Sequence, residues 1–174
     1  MIPFMDARHG ALGRSPRYAA PVDDPRGRRF VSVQAVLFLA VGFGPWLPLA
    51  LDPAGPPQAR WAGQALMLAG LALALVAGLR LGRNLTPFPR PRPGGELVTA
   101  GVYTFARHPI YGGVLLLAIG WSVVQLSVAT LLATTLLWLL LEAKSRYEER
   151  ALSDAYPGYR AYASTTRRFV PFLY

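Results

Sequence analysis

No cysteine occurs in the 174-residue chain, which removes disulfide frameworks, thiolate nucleophiles and thiolate metal sites together. Lysine is almost as scarce. Lys144 is the only one among 18 basic residues, a bias read here as codon usage rather than chemistry. Histidine is confined to His9 and His108. No GxGxxG, P-loop, HExxH or GxSxG pattern is present, so a Rossmann nucleotide site, a phosphate cradle, a zinc protease and a serine hydrolase are unsupported. Charge is missing from one long stretch, residues 110–141.

Apolar residues, in contrast, make up 53% of the chain and the mean hydropathy is positive. They gather in blocks of about twenty or more, the scale of a bilayer crossing. The formal net charge is +9, but the arginines flank the apolar blocks instead of forming one basic stripe. That distribution marks cytosolic loops facing an anionic leaflet, and it gives no support to nucleic acid as a partner. The chain is expected to be an all-α, integral-membrane helical bundle with about four membrane segments. Both termini are expected in the cytosol, in a bacterial inner membrane.

Residues 1–29 are rich in Pro, Gly, Arg and Asp without apolar periodicity. They are expected to form a mobile cytosolic tail, dispensable through Asp24, ahead of a single domain over residues 30–174. The first span is placed at residues 30–51, where Pro45 and Pro48 bend the outer end and leave backbone carbonyls needing partners. Trp46 and Trp61 bracket an external loop as an interfacial belt. The second span is placed at residues 61–81, with Gly78 and Gly82 offering a small-residue packing pair. Residues 84–95 carry four alternating prolines. They cannot form a long helix and are expected as an extended segment over the membrane surface or a cavity.

Pro109 suits the first position of a helix, with His108 as its cap. Residues 110–124 and 127–141 are expected as a short buried hairpin whose second helix runs on into water as far as Ala155, where Pro157 and Gly158 break it. A hairpin returns both ends to one surface, so Arg107, His108 and Tyr111 meet Glu148 and Glu149. Adjacent residues on a helix diverge by about 100°, so only one glutamate can face a shared pocket. Glu142 and Arg146 are spaced for an i,i+4 pair, and Arg146 could also hold Glu149, leaving Glu148 for the pocket. Singly, Arg107 and His108 could be membrane anchors, Tyr111 an interfacial aromatic and the glutamates a solvated helix face.

Together the residues Gly101-Val102-Tyr103, Arg107-His108-Pro109-Ile110-Tyr111-Gly112-Gly113, Glu148-Glu149 and the closing Tyr159, Tyr162 and Arg168-Phe169-Val170-Pro171 resemble the isoprenylcysteine carboxyl methyltransferase family. That family belongs with the phospholipid methyltransferases among integral-membrane methyltransferases. The resemblance covers residues 81–171, and the family's GPY is here GVY, with Val102 in the proline's place. It implies S-adenosylmethionine as cofactor, held at the cytosolic boundary without a Rossmann domain. Arg107, His108, Tyr111, Gly113, Glu148 and Glu149 fall on the cofactor-binding elements, and Glu148, Glu149 and Arg107 are the catalytic candidates. No metal site is assigned. The acceptor would be a lipophilic small molecule or lipid, with membrane lipids as surroundings. Carboxyl O-methylation is the first expectation. Phospholipid-type N-methylation, an NADPH-dependent membrane isoprenoid or steroid reductase, and a non-catalytic membrane scaffold are the alternatives.

Overall fold

The computed structural model describes residues 24–47 and 56–169. Residues 1–23 of the expected tail, residues 48–55 (the end of the expected first span with Pro48, and the first part of the expected external loop) and residues 170–174 lie outside the described residues.

Helix α1, Pro25–Phe43, opens before the expected start at residue 30. Asp24 caps it, its carboxylate accepting the Arg26 amide at 3.1 Å, and Pro25 occupies the first turn where a missing amide costs nothing. Residues 25–29, expected as tail, are therefore helix. At the far end Pro45 cannot donate to the carbonyl of Val41, four residues back. The indole Nε1 of Trp121 donates to that carbonyl instead, at 3.1 Å. A 3-10 turn, Gly44–Trp46, finishes the segment.

Helix α2, Pro57–Leu81, begins earlier than the expected residue 61, again with a proline in its first turn. It runs antiparallel to α3, Pro109–Gln125, and the two backbones touch. A Cβ on Gly70 would lie 2.5 Å from the Gly113 carbonyl oxygen, and one on Gly113 would lie 2.6 Å from that of Gly70. Gly63 and Gly120 face each other equally closely, at 2.7 and 2.5 Å. Glycine recurs at a two-turn spacing on both helices, so both contacts fall on one seam. The expected Gly78 and Gly82 pair has no packing role, because nothing lies within 4 Å of where either Cβ would point.

Leu126 takes a left-handed conformation (φ 44°) to turn α3 into α4, Val128–Ala155. Ser127 caps α4 by accepting the Thr130 amide. Inside the hairpin Ser122 and Thr134 share a hydrogen bond of 3.0 Å, and Ser122 also donates to the Ala118 carbonyl. Buried hydroxyls in apolar surroundings are thereby satisfied. Helices α1, α2 and α4 are long and apolar enough to cross a membrane, and α3 is a shorter apolar helix. At about 1.5 Å per residue α3 spans about 26 Å, short of the ~30 Å hydrocarbon core. Leu79, Phe43, Trp46 and Trp61 are broadly exposed, the arrangement of side chains that meet lipid rather than water. The result is the all-helical membrane bundle expected, with α3 and α4 as the hairpin.

A last short helix, α5 (Tyr159–Thr165), leads into a C-terminal segment that runs beside residues 105–108. The amides of Arg107 and His108 donate to the carbonyls of Arg167 and Arg168, both at 2.8 Å. This brings Phe169, Arg168 and the start of α3 against the charged end of α4.

Candidate active site

The turn before α3 and the charged end of α4 form one wall of a cavity. His108 takes the N-cap position of α3, yet its side chain makes no capping bond. Instead its ring stacks on Tyr111, with centroids 5.3 Å apart and planes 2° from parallel, and meets the edge of Phe169. Tyr111 donates to Glu148 at 2.8 Å, and His108 Nδ1 lies 3.7 Å from the same carboxylate oxygen. Glu148 points into the cavity.

Glu149, about 100° around the helix, leaves that cavity for a half-buried charge network. Arg107 Nε donates to it at 2.8 Å, and Arg168 contacts both of its oxygens at 3.3 Å. His108 Nε2 is 3.3 Å away, yet out of line for a hydrogen bond. Arg107 Nη1 donates to the carbonyls of Ala163 and Thr166. Arg168 also pairs with Glu142, as does Arg146 at 2.8 Å. The expected Glu142–Arg146 pair is thus present. The expected hold of Arg146 on Glu149 is replaced by Arg107 and Arg168, which the docked C-terminal segment delivers.

The cavity measures about 400 Å³, within the roughly 300–1,000 Å³ range of small-molecule sites. Its walls include Tyr103, His108, Tyr111, Lys144, Glu148 and Tyr159. One side is closed by the proline-rich strap, residues 85–91, the non-helical segment expected over a cavity. Three ties hold it. The Asn84 side chain pairs in both directions with the Glu96 backbone, at 3.1 and 3.2 Å. Lys144 Nζ donates to the Pro87 carbonyl at 2.8 Å. Arg90 pairs with Asp24 at 3.1 Å, and Tyr147 donates to the same carboxylate oxygen at 2.8 Å.

The structure brings five of the six sequence-derived residues together, and Gly113 stands apart. Gly113 packs backbone to backbone on Gly70 and does not line the cavity. Lys144, Arg90 and Asp24 were not foreseen. The singular lysine was the available signal for the first, and for the others no sequence signal linked Asp24 to a strap some sixty residues away.

Three tyrosines complete the polar lining. Tyr162 donates to the Tyr103 carbonyl at 2.6 Å, and Tyr103 donates to the Ala77 carbonyl at 3.3 Å. The Tyr159 hydroxyl is buried with no hydrogen-bond partner among the described residues. Burial, then the negative charge of nearby Glu148, raises the Tyr103 phenol well above its usual range. Burial, then Glu149, does the same for Tyr159, and burial pushes Tyr162 up to about 12. All three are neutral donors at physiological pH and poor general bases.

A helical membrane bundle that carries a polar, charge-lined cavity where its apolar helices end is the class this geometry defines. The phospholipid methyltransferase family model matches residues 59–158, more than half of the chain, and the chain belongs to that family. A probable protein-S-isoprenylcysteine O-methyltransferase of Oryza sativa subsp. indica is 29% identical over 117 residues, 65% of this chain and 61% of that protein. Protein-S-isoprenylcysteine O-methyltransferase B of Arabidopsis thaliana is 30% identical over 115 residues, 64% of this chain and 58% of that protein. The cobalt-zinc-cadmium resistance protein CzcN of Cupriavidus metallidurans is 38% identical over 84 residues, 47% of this chain and 38% of that protein. The chain therefore spans about three fifths of the length of the isoprenylcysteine methyltransferases it matches.

Proposed function

We propose that the chain is an integral-membrane methyltransferase that takes a methyl group from S-adenosylmethionine. The acceptor is lipophilic or amphipathic, with O-methylation of a carboxylate of the isoprenylcysteine type preferred. The observation that carries this is the division of the two glutamates. Glu149 is held by arginines, while Glu148 faces the cavity with its neighbours Tyr111 and His108, inside the family-matched segment.

The residues present fit that cofactor. Glu148 offers a carboxylate for an α-ammonium, the stacked His108 and Tyr111 offer aromatic faces, and the orphaned Tyr159 hydroxyl lacks a partner that a polar ligand would supply. When bound, S-adenosylmethionine supplies an electrophilic methyl on a sulfonium. The protein's contribution is then alignment and dryness. The strap, tied at three points, covers the site, and the Glu149 network fixes α4 against the start of α3. A carboxylate acceptor is ionised near pH 7 and needs no base. An amine acceptor would first lose a proton, for which Glu148, beside His108 and Tyr111 on the cavity wall, is the candidate carboxylate. The distribution of arginines supports both termini in the cytosol, with the donor entering from water and the acceptor from lipid. The reductase and scaffold alternatives draw no support from the family match.

The test is transfer from methyl-labelled S-adenosylmethionine by the purified protein. Two acceptors are offered separately, N-acetyl-S-farnesylcysteine and phosphatidylethanolamine vesicles. Base-labile label on the first is the expected result. Base-stable label on the second would shift the assignment to N-methylation. No transfer, together with no binding of S-adenosylhomocysteine, would refute the proposal.

A further inference from the structure

Lys144 is 1% exposed, and an ammonium is costly to bury unless it is paired. Its Nζ donates to Gln34 Oε1 at 2.6 Å and to the Pro87 carbonyl at 2.8 Å. Both acceptors are neutral. An ammonium has three donors, and the third meets only the face of Tyr111, 5.4 Å from the ring centroid. Among the described residues no carboxylate lies within ion-pair distance of it.

The other fixed cations on the cavity wall are committed. Arg90 pairs with Asp24, and Arg107 pairs with Glu149 and two carbonyls. Arg107 therefore lacks the freedom to serve a ligand carboxylate, the role that sequence reasoning offered it. Lys144 and Glu148 stand one turn apart on α4, line the same cavity and flank Tyr111. Opposite charges on one helix face, each turned toward a shared space, match a zwitterion.

We propose that Lys144 is the counter-charge for the α-carboxylate of the amino-acid end of S-adenosylmethionine, with Glu148 taking the α-ammonium. This rests on the methyltransferase reading above. Glu148 acts on Lys144 only from beyond ion-pair distance, so the ligand brings the carboxylate that can pair with it directly and offset more of the cost of burying the ammonium. The same lysine holds the strap through Pro87, so carboxylate binding and strap closure share one side chain.

The experiment compares S-adenosylhomocysteine with its α-carboxamide, which keeps the ammonium but loses the negative charge, by calorimetric titration in detergent. The parent should prefer the carboxylate roughly ten- to a hundred-fold, the range of one charge-assisted bond. Lys144→Met should bind both ligands about as the parent binds the amide. Lys144→Gln, which keeps a donor for Pro87, should behave likewise should the methionine variant fold poorly. A purely structural lysine would weaken both ligands alike and leave the preference intact. That result, or a parent without preference, overturns the inference while leaving the methyltransferase reading standing. A parent that does not bind S-adenosylhomocysteine removes both.

Discussion

Glu148→Gln and Glu149→Gln are the same substitution on adjacent residues, and the structure expects opposite failures. Glutamine at 149 keeps the shape but removes the anion between Arg107 and Arg168. Breaking a buried ion pair by removing one partner costs about 3–5 kcal/mol. Glu149 is 18% exposed and Arg107 12%, so partial solvent screening places the cost near the lower end, about 3 kcal/mol. For a chain of this size 1 kcal/mol shifts Tm by about 2–4 °C, which gives a fall of about 6–12 °C. Glutamine at 148 can still accept the Tyr111 hydroxyl, now at 2.8 Å from a carboxylate oxygen, so stability should change by about 1 kcal/mol or less. Affinity for S-adenosylhomocysteine should instead fall roughly ten- to a hundred-fold. Thermal unfolding and calorimetric titration of the two variants in one detergent read both quantities. A Glu149→Gln protein that melts with the parent, or a Glu148→Gln protein that binds like it, would refute this division of labour.

Gly113→Leu should abolish the folded protein, because its Cβ would sit 2.6 Å from the Gly70 carbonyl oxygen, backbone that cannot yield. Gly78→Ala, with nothing within 4 Å, should raise Tm slightly through the helix propensity gain of about 0.5–1 kcal/mol. Deleting residues 1–23 should leave ligand binding intact, whereas Asp24→Asn should weaken it and lower Tm, since Asp24 caps α1 and anchors Arg90 and Tyr147. Cysteines introduced at Gln58 and Ser164 should label from opposite sides of the membrane in a chain with no cysteine of its own. Same-side labelling would defeat the assigned topology. On the alkaline side, Tyr103, Tyr159 and Tyr162 titrate above their unfolded value. Their contribution is therefore whole below pH ~10 and is lost as pH rises through that value toward about 12 for Tyr162. Tm measured against pH should be flat below that window, as far as these groups act, and fall within it.

Much of the fold was legible because bilayer physics reduces it to lengths and flanking charges. The uncharged stretch at residues 110–141 and the polar turn within it placed the hairpin, and Pro109 placed the start of α3. The start of α1 was less legible. Residues 25–29 look like tail by composition, yet the aspartate-proline step at 24–25 is a cap followed by a first helical turn. The helix seam was misplaced for a different reason. Glycines at 63, 70, 78 and 82 are equivalent in sequence, and only the partner helix, with its own glycines at 113 and 120, selects the pair that matters.

The site shows where one-dimensional reasoning stops. Helical geometry correctly separated Glu148 from Glu149, because the angle between neighbours needs no tertiary knowledge. It could not say which cation would hold Glu149. Arg146 was the near candidate along the helix, but the C-terminal segment docks beside residues 105–108 and brings Arg168 together with Arg107. Once those arginines are committed, the charge balance of the cavity changes. An arginine expected to face a ligand becomes a strut, and a lysine discounted as an accident of composition becomes the cavity cation with no carboxylate within ion-pair distance among the described residues. Glu149 occupies the arginines, and on the proposed reading this leaves Glu148 and Lys144, one turn apart on α4 and both against Tyr111, for a ligand that carries both charges.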